Sequence, residues 1–450
     1  MPEARVTDVT ALIDAHPLGA LQIRTLILCG LAALLDGLDL QSIGLAAPGI
    51  IATLHVPPRS FGLVFSAALL GLMVGAFCLG PVADQFGRRR ILIGALVIIG
   101  AFTLATAYAT SFQMLLVLRF LAGIGLGGAM PSFISLGAEY APRRLRAVLV
   151  GLLWAGFPLG GMVGGVLGSR LIPAFGWQSL FYVGGVLPVL LAIVLLPALP
   201  ESIAFLAARD AAGRRIATLL GRIIGQPLSP GTRFILGEQR APGLPLRHLF
   251  TDGRGVGTVL LWIAYFTIFL MLVTNTAWSP ILLHAGGMAV AQAAIAMAVF
   301  NLGSVIGTCL VGLLITRFNA YRALALLFVA SAMSFALIGQ AAPSYLGSTA
   351  LEGLTGLFLG AGSSGLIAMT TLFYPTAMRS TGVGWAMGMG RFGSFIGPLL
   401  VGLMVGAGWD ITATYGAVGA PALVAAVCTA VLGWRLGGMG ARRAAPVGTV

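Results

Sequence analysis

No lysine occurs in the 450 residues, so all 26 basic residues are arginine. That absence removes a P-loop lysine, and with it ATP-driven transport by this chain alone, and it also removes Schiff-base chemistry. Charge of either sign is scarce, at 9% of residues against about 25% in soluble domains. The four cysteines, Cys29, Cys78, Cys309 and Cys428, fall singly inside apolar runs, with no C-x-x-C and no metal-ligand spacing. They read as small packing residues. A G-x-S-x-G and a His-Glu metal motif are also missing, so an intramembrane hydrolase lacks its parts. No enzymatic activity, cofactor or metal is expected.

What is abundant is apolar: hydrophobic residues make up 58% of the chain, with 64 glycines. Apolar runs long enough to cross a bilayer, which takes roughly 20 residues each, recur along the whole length. The class implied is an all-α polytopic membrane protein. The net charge of +13 does not point to nucleic acid, because the arginines form no stripe with interleaved aromatics. They sit in short loops between apolar runs.

Twelve spans are expected near 22–48, 60–82, 91–109, 112–136, 147–171, 178–198, 256–282, 289–315, 321–341, 346–373, 381–406 and 412–434. The first run is too long for a cleaved signal and follows Glu3, Asp8 and Asp14, so it is expected to be retained. The division is a tail at 1–21, a six-helix bundle at 22–199, a linker at 200–254, a second six-helix bundle at 255–435 and a tail at 436–450. The linker holds eight arginines, Arg240 among them. Arg88 to Arg90, Arg143, Arg144, Arg146, Arg317, Arg322, Arg379 and Arg435 fall on the same side, and the other side has only Arg59 and Arg170. The positive-inside rule then places both termini in the cytoplasm.

The halves repeat in parallel. An offset of 232–233 brings Gly80 onto Gly312, Gly123 onto Gly356, Gly127 onto Gly360, Pro142 onto Pro375, Arg146 onto Arg379 and Gly160 onto Gly393. Two pseudo-symmetric bundles with a site at their interface are the expected architecture. Gly156, Gly160, Gly164 and Gly168 recur every four residues, a small-xxx-small face for close helix approach.

Span 1 carries Asp36 and Asp39, three residues apart and so on one helical face. Carboxylates at membrane depth face a cavity or a cationic partner rather than lipid. At 1.5 Å per residue they lie roughly 20–25 Å along their span, Arg119 about 10 Å into span 4 and Arg391 about 15 Å into span 11, all at comparable depth. Two close carboxylates rarely ionise together, so proton coupling is expected for at least one of them; the alternative is a purely structural role. Arg119 is either their counter-ion or a substrate contact. Arg391 has no acidic residue in its own span, and a guanidinium there suits a bidentate grip on a carboxylate. Glu352, one to two turns into span 10, is a possible extra acidic site, with a water-facing rim position favoured. Gln41, Asn275 and Asn301 are plausible polar liners, and Trp278 and Trp385 plausible ring contacts that compete with a packing role. G-x-G-x-x-G at Gly123–Gly128 lies inside a span with no strand before it, so it is not a dinucleotide site.

The segment Gly80 to Arg90, GPVADQFGRRR, resembles the loop 2–3 signature of the major facilitator superfamily. Asp84, Gly87, Arg88 and Arg89 carry that match, and with Glu139 and Arg146 are expected to act as gate or loop contacts. Gln85 occupies a place that is usually basic. In the second-half copy Thr316 and Asn319 replace the aspartate and glycine, so a latch there should be weaker or absent. LLDGLDLQSIGLAAP from Leu34, RFLAGIGLGGAMPSF from Arg119, LPESIAFL after span 6 and FYPTAMRSTGVGWAMGMGRFGSFIGP from Phe373 resemble the aromatic acid:H+ symporters. The resemblance covers Leu21 to Arg435. It implies the major facilitator fold, a monomer in a bacterial inner membrane, and import of a small aromatic acid with protons. Hydroxybenzoates and hydroxyphenylpropanoates are examples. A proton-driven efflux antiporter, a symporter of non-aromatic acids and a non-transporting sensor stand as rivals. Span 5 reads Gly156-Phe157-Pro158-Leu159-Gly160-Gly161, without the Gly-Pro-x-x-Gly-Gly of efflux carriers, and the linker is too short for a signalling domain.

Overall fold

A computed structural model describes residues 6–209, 214–226, 233–235, 246–251, 253–342, 344–375 and 378–443. Arg240 of the linker lies outside the described residues, as do 1–5 and 444–450. The described chain is overwhelmingly helical, and twelve of its helices are long and apolar enough to cross a membrane. A short α1 (Val9–Asp14) precedes the first six, α2 (Ala20–Leu54), α3 (Phe61–Phe86), α4 (Arg88–Thr106), α5 (Phe112–Tyr140), α6 (Arg143–Phe175) and α7 (Gln178–Ala198). The linker contributes α8 (Ile203–Arg209) and α9 (Arg214–Ile224). The second six are α10 (Gly255–Ala285), α11 (Val290–Arg317), α12 (Ala320–Ala341), α13 (Tyr345–Phe373), α14 (Arg379–Gly406) and α15 (Ile411–Arg443).

Span 1 runs past its expected end, because Pro48 lies inside α2 rather than closing it. In a membrane helix neighbouring helices and local adjustments satisfy the groups that proline frees. The fold is all-α, as expected, with one small addition among the described residues, a three-residue parallel pairing of β1 (Val6–Asp8) with β2 (Arg233–Ile235). Strands that short leave no period to read.

Two compact units emerge, Met1–Ala46 with Ala67–Arg240, and Ala47–Ser66 with Ala241–Val450. Their cores are apolar, and many large apolar side chains are exposed as well: Phe77 is 84% exposed, as suits a side chain facing lipid rather than water. In the first unit α9 sets Ile216, Leu220 and Ile223 into a core shared with Val9 and Ile13. The spacing i, i+4, i+7 is one helical face.

The repeat is visible in how the helices touch. In the first unit, side chains added at Gly71, Gly75, Gly123 and Gly127 would collide with the carbonyl oxygens of Phe120, Ile124, Ala68 and Leu72. In the second, Gly303, Gly307, Gly356 and Gly360 stand in the same relation to Gly353, Leu357, Phe300 and Ser304. Each pair maps onto its counterpart by 232 residues in α3/α11 and by 233 in α5/α13. The same register carries Arg119 onto Glu352 (119 + 233 = 352).

Candidate functional site

Asp-Gly-x-Asp in α2 is built around a close helix crossing. A side chain at Gly37 would strike the Phe157 carbonyl of α6, and one at Gly160 would strike the Leu34 carbonyl of α2. The crossing fixes the stretch of α2 that carries Asp36 and Asp39, both buried. One Asp39 oxygen accepts a hydrogen bond from the Thr103 hydroxyl, and the other lies 3.6 Å from the Arg119 guanidinium. Arg119 in turn donates to Thr103 Oγ1 at 3.0 Å and Thr106 Oγ1 at 3.1 Å. Its guanidinium carbon stands 5.3 Å from the Phe181 ring centroid, a cation–π distance. Of the two roles open to Arg119, counter-ion and substrate contact, the geometry is that of the counter-ion to Asp39. Thr103, Thr106 and Phe181 went unread in the sequence. The available signal was two threonines at i, i+3 in an otherwise apolar span.

Gln41 is buried against α6, where a side chain at Gly161 would meet its amide. In the second unit Asn301 is buried and its amide donates to Met297 O at 2.8 Å. Trp278 is fully buried, its indole N–H donating to Pro398 O at 3.0 Å and its ring edge-on to Phe65. Trp385 is half exposed and stacks on Trp262 with centroids 6.0 Å apart. Arg391, half-buried on α14, stands between two glycines at which α14 meets α10. A side chain at Gly393 would strike the Phe266 carbonyl, and one at Gly390 would sit 3.0 Å from the Phe269 ring. That ring is stacked on Tyr265, 6.1 Å between centroids and 11° between planes.

Glu352 corrects the rim expectation: its exposure is 0%. Depth along α13 alone suggested water, but α10 and α15 close over the carboxyl. The Asn275 amide donates to Glu352 Oε2 at 2.8 Å, and Ser279 donates to Asn275 Oδ1 at 2.7 Å. The Tyr415 hydroxyl lies 2.9 Å from Ser279 Oγ and 3.4 Å from Glu352 Oε1. The position that carries a paired cation in the first unit thus carries a carboxyl held by neutral groups in the second.

At the α3–α4 turn, Gly87 has φ +102°, a region costly for any residue with a side chain, and a Cβ there would press on the Glu201 carboxylate. Arg88 bridges Asp84, at 3.1 Å, and Glu139. Glu139 also accepts from Ser202 Oγ at 2.7 Å and Ala204 N at 3.2 Å. Glu201 accepts from the Arg89 and Ser202 backbone at 3.0 and 2.9 Å, and its own carbonyl receives the Tyr140 hydroxyl at 2.7 Å. The LPES segment is therefore the anchor of this turn, a role the sequence reading gave to no residue after span 6. Arg146 sits half-buried in the first turn of α6. In the second-half copy, Asn319 caps α12 through Tyr321 N and Arg322 N, and Thr316 bonds back within α11. Among the described residues neither Arg317 nor Arg322 forms an ion pair.

Twelve membrane helices in a two-fold repeat, with ionic groups buried in them, define a multi-pass membrane protein of the carrier type. Residues 29–338 and 261–439 match the model of the Major Facilitator Superfamily. The 4-hydroxybenzoate transporter PcaK of Pseudomonas putida is 37% identical over 95% of this chain and 96% of its own. The 3-(3-hydroxy-phenyl)propionate transporter of Escherichia coli K12 is 36% identical over 91% and 93%. A crystal structure of a D-xylose-proton symporter shares the fold, with TM-score 0.70, 17% identity, and coverage of 90% of this chain and 97% of that one. The chain belongs to the major facilitator superfamily and is a transport protein, not an enzyme.

Proposed function

We propose that this chain imports an aromatic carboxylate, such as a hydroxybenzoate or hydroxyphenylpropanoate, with one or more protons across a bacterial inner membrane. The substrate class is supported by relatives named for 4-hydroxybenzoate and 3-(3-hydroxy-phenyl)propionate transport, which match nearly the whole chain. The observation that carries the coupling is the buried Asp39–Thr103–Arg119 constellation. A proton taken up on Asp39 removes the ionic half of its hold on Arg119, leaving the two threonine hydroxyls and the Phe181 ring. A membrane-buried ion pair that can be broken by one proton is a two-state element that a proton gradient can bias. Asp36, one turn away, is the second carboxyl of the proton site. Arg391 grips the substrate carboxylate, and Asn275, Asn301 and Trp385 are further candidate residues of the substrate site. Release follows on the side poorer in protons, where Asp39 re-ionises and recaptures Arg119. The bundles at 22–199 and 255–435 perform this cycle as a monomer, with both termini in the cytoplasm.

The test is uptake of a panel of labelled aromatic and aliphatic acids into proteoliposomes, with and without an inward proton gradient. Accumulation of an aromatic acid only under the gradient is expected. Accumulation of aliphatic acids alone would remove the substrate class. Proton-driven extrusion of cationic dyes without acid uptake would replace the proposal with efflux.

A further inference from the structure

A cavity of about 530 Å³ opens in the first unit among α2, α4, α7, α8 and α9. Arg24, Arg89, Arg90, Arg215 and Arg222 line it, against one carboxylate, Glu201. Five cations less one anion leave a formal surplus of four. Glu201 is already engaged by the Arg89 and Ser202 backbone. Arg24, Arg90 and Arg222 are exposed and form no ion pair among the described residues. Orientation signals account for arginines in these loops, but not for their convergence on one hollow. That convergence comes from α9, whose Ile216, Leu220 and Ile223 are buried while Arg215 and Arg222, seven residues apart on another face, line the cavity. The remaining lining includes Leu21, Phe205 and Leu219, so apolar side chains stand among the arginines.

We propose that this cavity binds a phosphate group, carried either by an anionic phospholipid headgroup or by a soluble phosphate. Guanidinium groups match phosphate oxygens in bidentate geometry, and basic pockets between membrane helices near the bilayer surface take phospholipid headgroups. The apolar lining residues favour the lipid source, because Leu21, Pro197 and Ala198 offer a seat for the first carbons of an acyl chain where α2 begins and α7 ends. Occupancy would tie α9 to the turn that holds Arg88 and Glu139, since Arg89 and Glu201 belong to both.

The test places the purified full-length chain in phosphatidylcholine nanodiscs with and without phosphatidylglycerol and counts retained phospholipid by native mass spectrometry. A parallel arm measures binding of labelled inorganic phosphate by equilibrium dialysis. Retention of phosphatidylglycerol is expected, falling on the order of tenfold or more in R24Q/R222Q and unchanged in R317Q/R322Q, which removes two arginines of the second unit. R90Q and R222Q alone, each at an exposed side chain, should show partial loss and guard against a folding failure of the double variant. Phosphate binding with the same dependence on these arginines, without lipid retention, would assign the site to the soluble source. Equal loss in both double variants, or no loss in either, would overturn it.

Discussion

The Thr103 hydroxyl donates to Asp39 and accepts from Arg119, so one small side chain relays between the two buried charges. Replacing it by valine keeps the shape and removes both bonds, at about 1–3 kcal/mol for the polar groups left behind. The T103V variant should therefore melt lower in detergent and show an altered pH profile of uptake, read by thermal-shift and transport assays. Asp39→Asn should keep acid exchange across the membrane while losing accumulation driven by a pH gradient. An unchanged gradient response in D39N would remove Asp39 from the proton site. Arg391→Ala should abolish acid binding at every pH in a scintillation proximity assay, and unaltered affinity would sink its assignment. At this scale the charged residues were legible and their neutral partners were not. Asp36, Asp39 and Arg119 stand out because charge is costly in a membrane. Thr103 and Thr106 look like any threonine in a span, since a hydroxyl can bond back to its own helix, as Thr106 also does to Phe102.

Helix crossings explain which glycines matter. The stripe Gly156, Gly160, Gly164, Gly168 reads from sequence as one packing face, but the helices touch tightly over only part of it. A side chain at Gly160 would collide with the Leu34 carbonyl, whereas one at Gly164 meets its nearest neighbour at an ordinary 3.6 Å. Gly160→Ala should lower thermal stability by about 1–3 kcal/mol or more, the cost of overpacking, while Gly164→Ala should be nearly neutral. Fluorescence-detected size exclusion after heating separates the two outcomes, and equal stability would contradict the crossing. A four-residue period identifies a helix face. The point along that face where two helices cross depends on a partner distant in sequence, so the period alone could not locate it. The same limit hid Glu201 as the partner of Gly87: the glycine was evident from its motif, but the carboxylate that fills the space beside it comes from the segment that follows α7.

Across the whole molecule, the parallel repeat was legible because glycines at a shared offset mark equivalent crossings, and eight helix contacts reproduce that offset. What the repeat does not preserve is charge. Arg119 and Glu352 occupy equivalent positions, one paired with Asp39 and the other bonded to Asn275, so the two units are alike in packing and unlike in electrostatics. In the proposed cycle that asymmetry would place the proton site in the first half, at Asp39, and the acid site in the second, at Arg391. The most direct measurement of that claim is proton movement itself. Adding 4-hydroxybenzoate to proteoliposomes in a weakly buffered, dye-monitored medium should alkalinise the outside as acid and proton enter together, in the wild type and not in D39N. Acid entry without alkalinisation, or an identical signal from D39N, would contradict it.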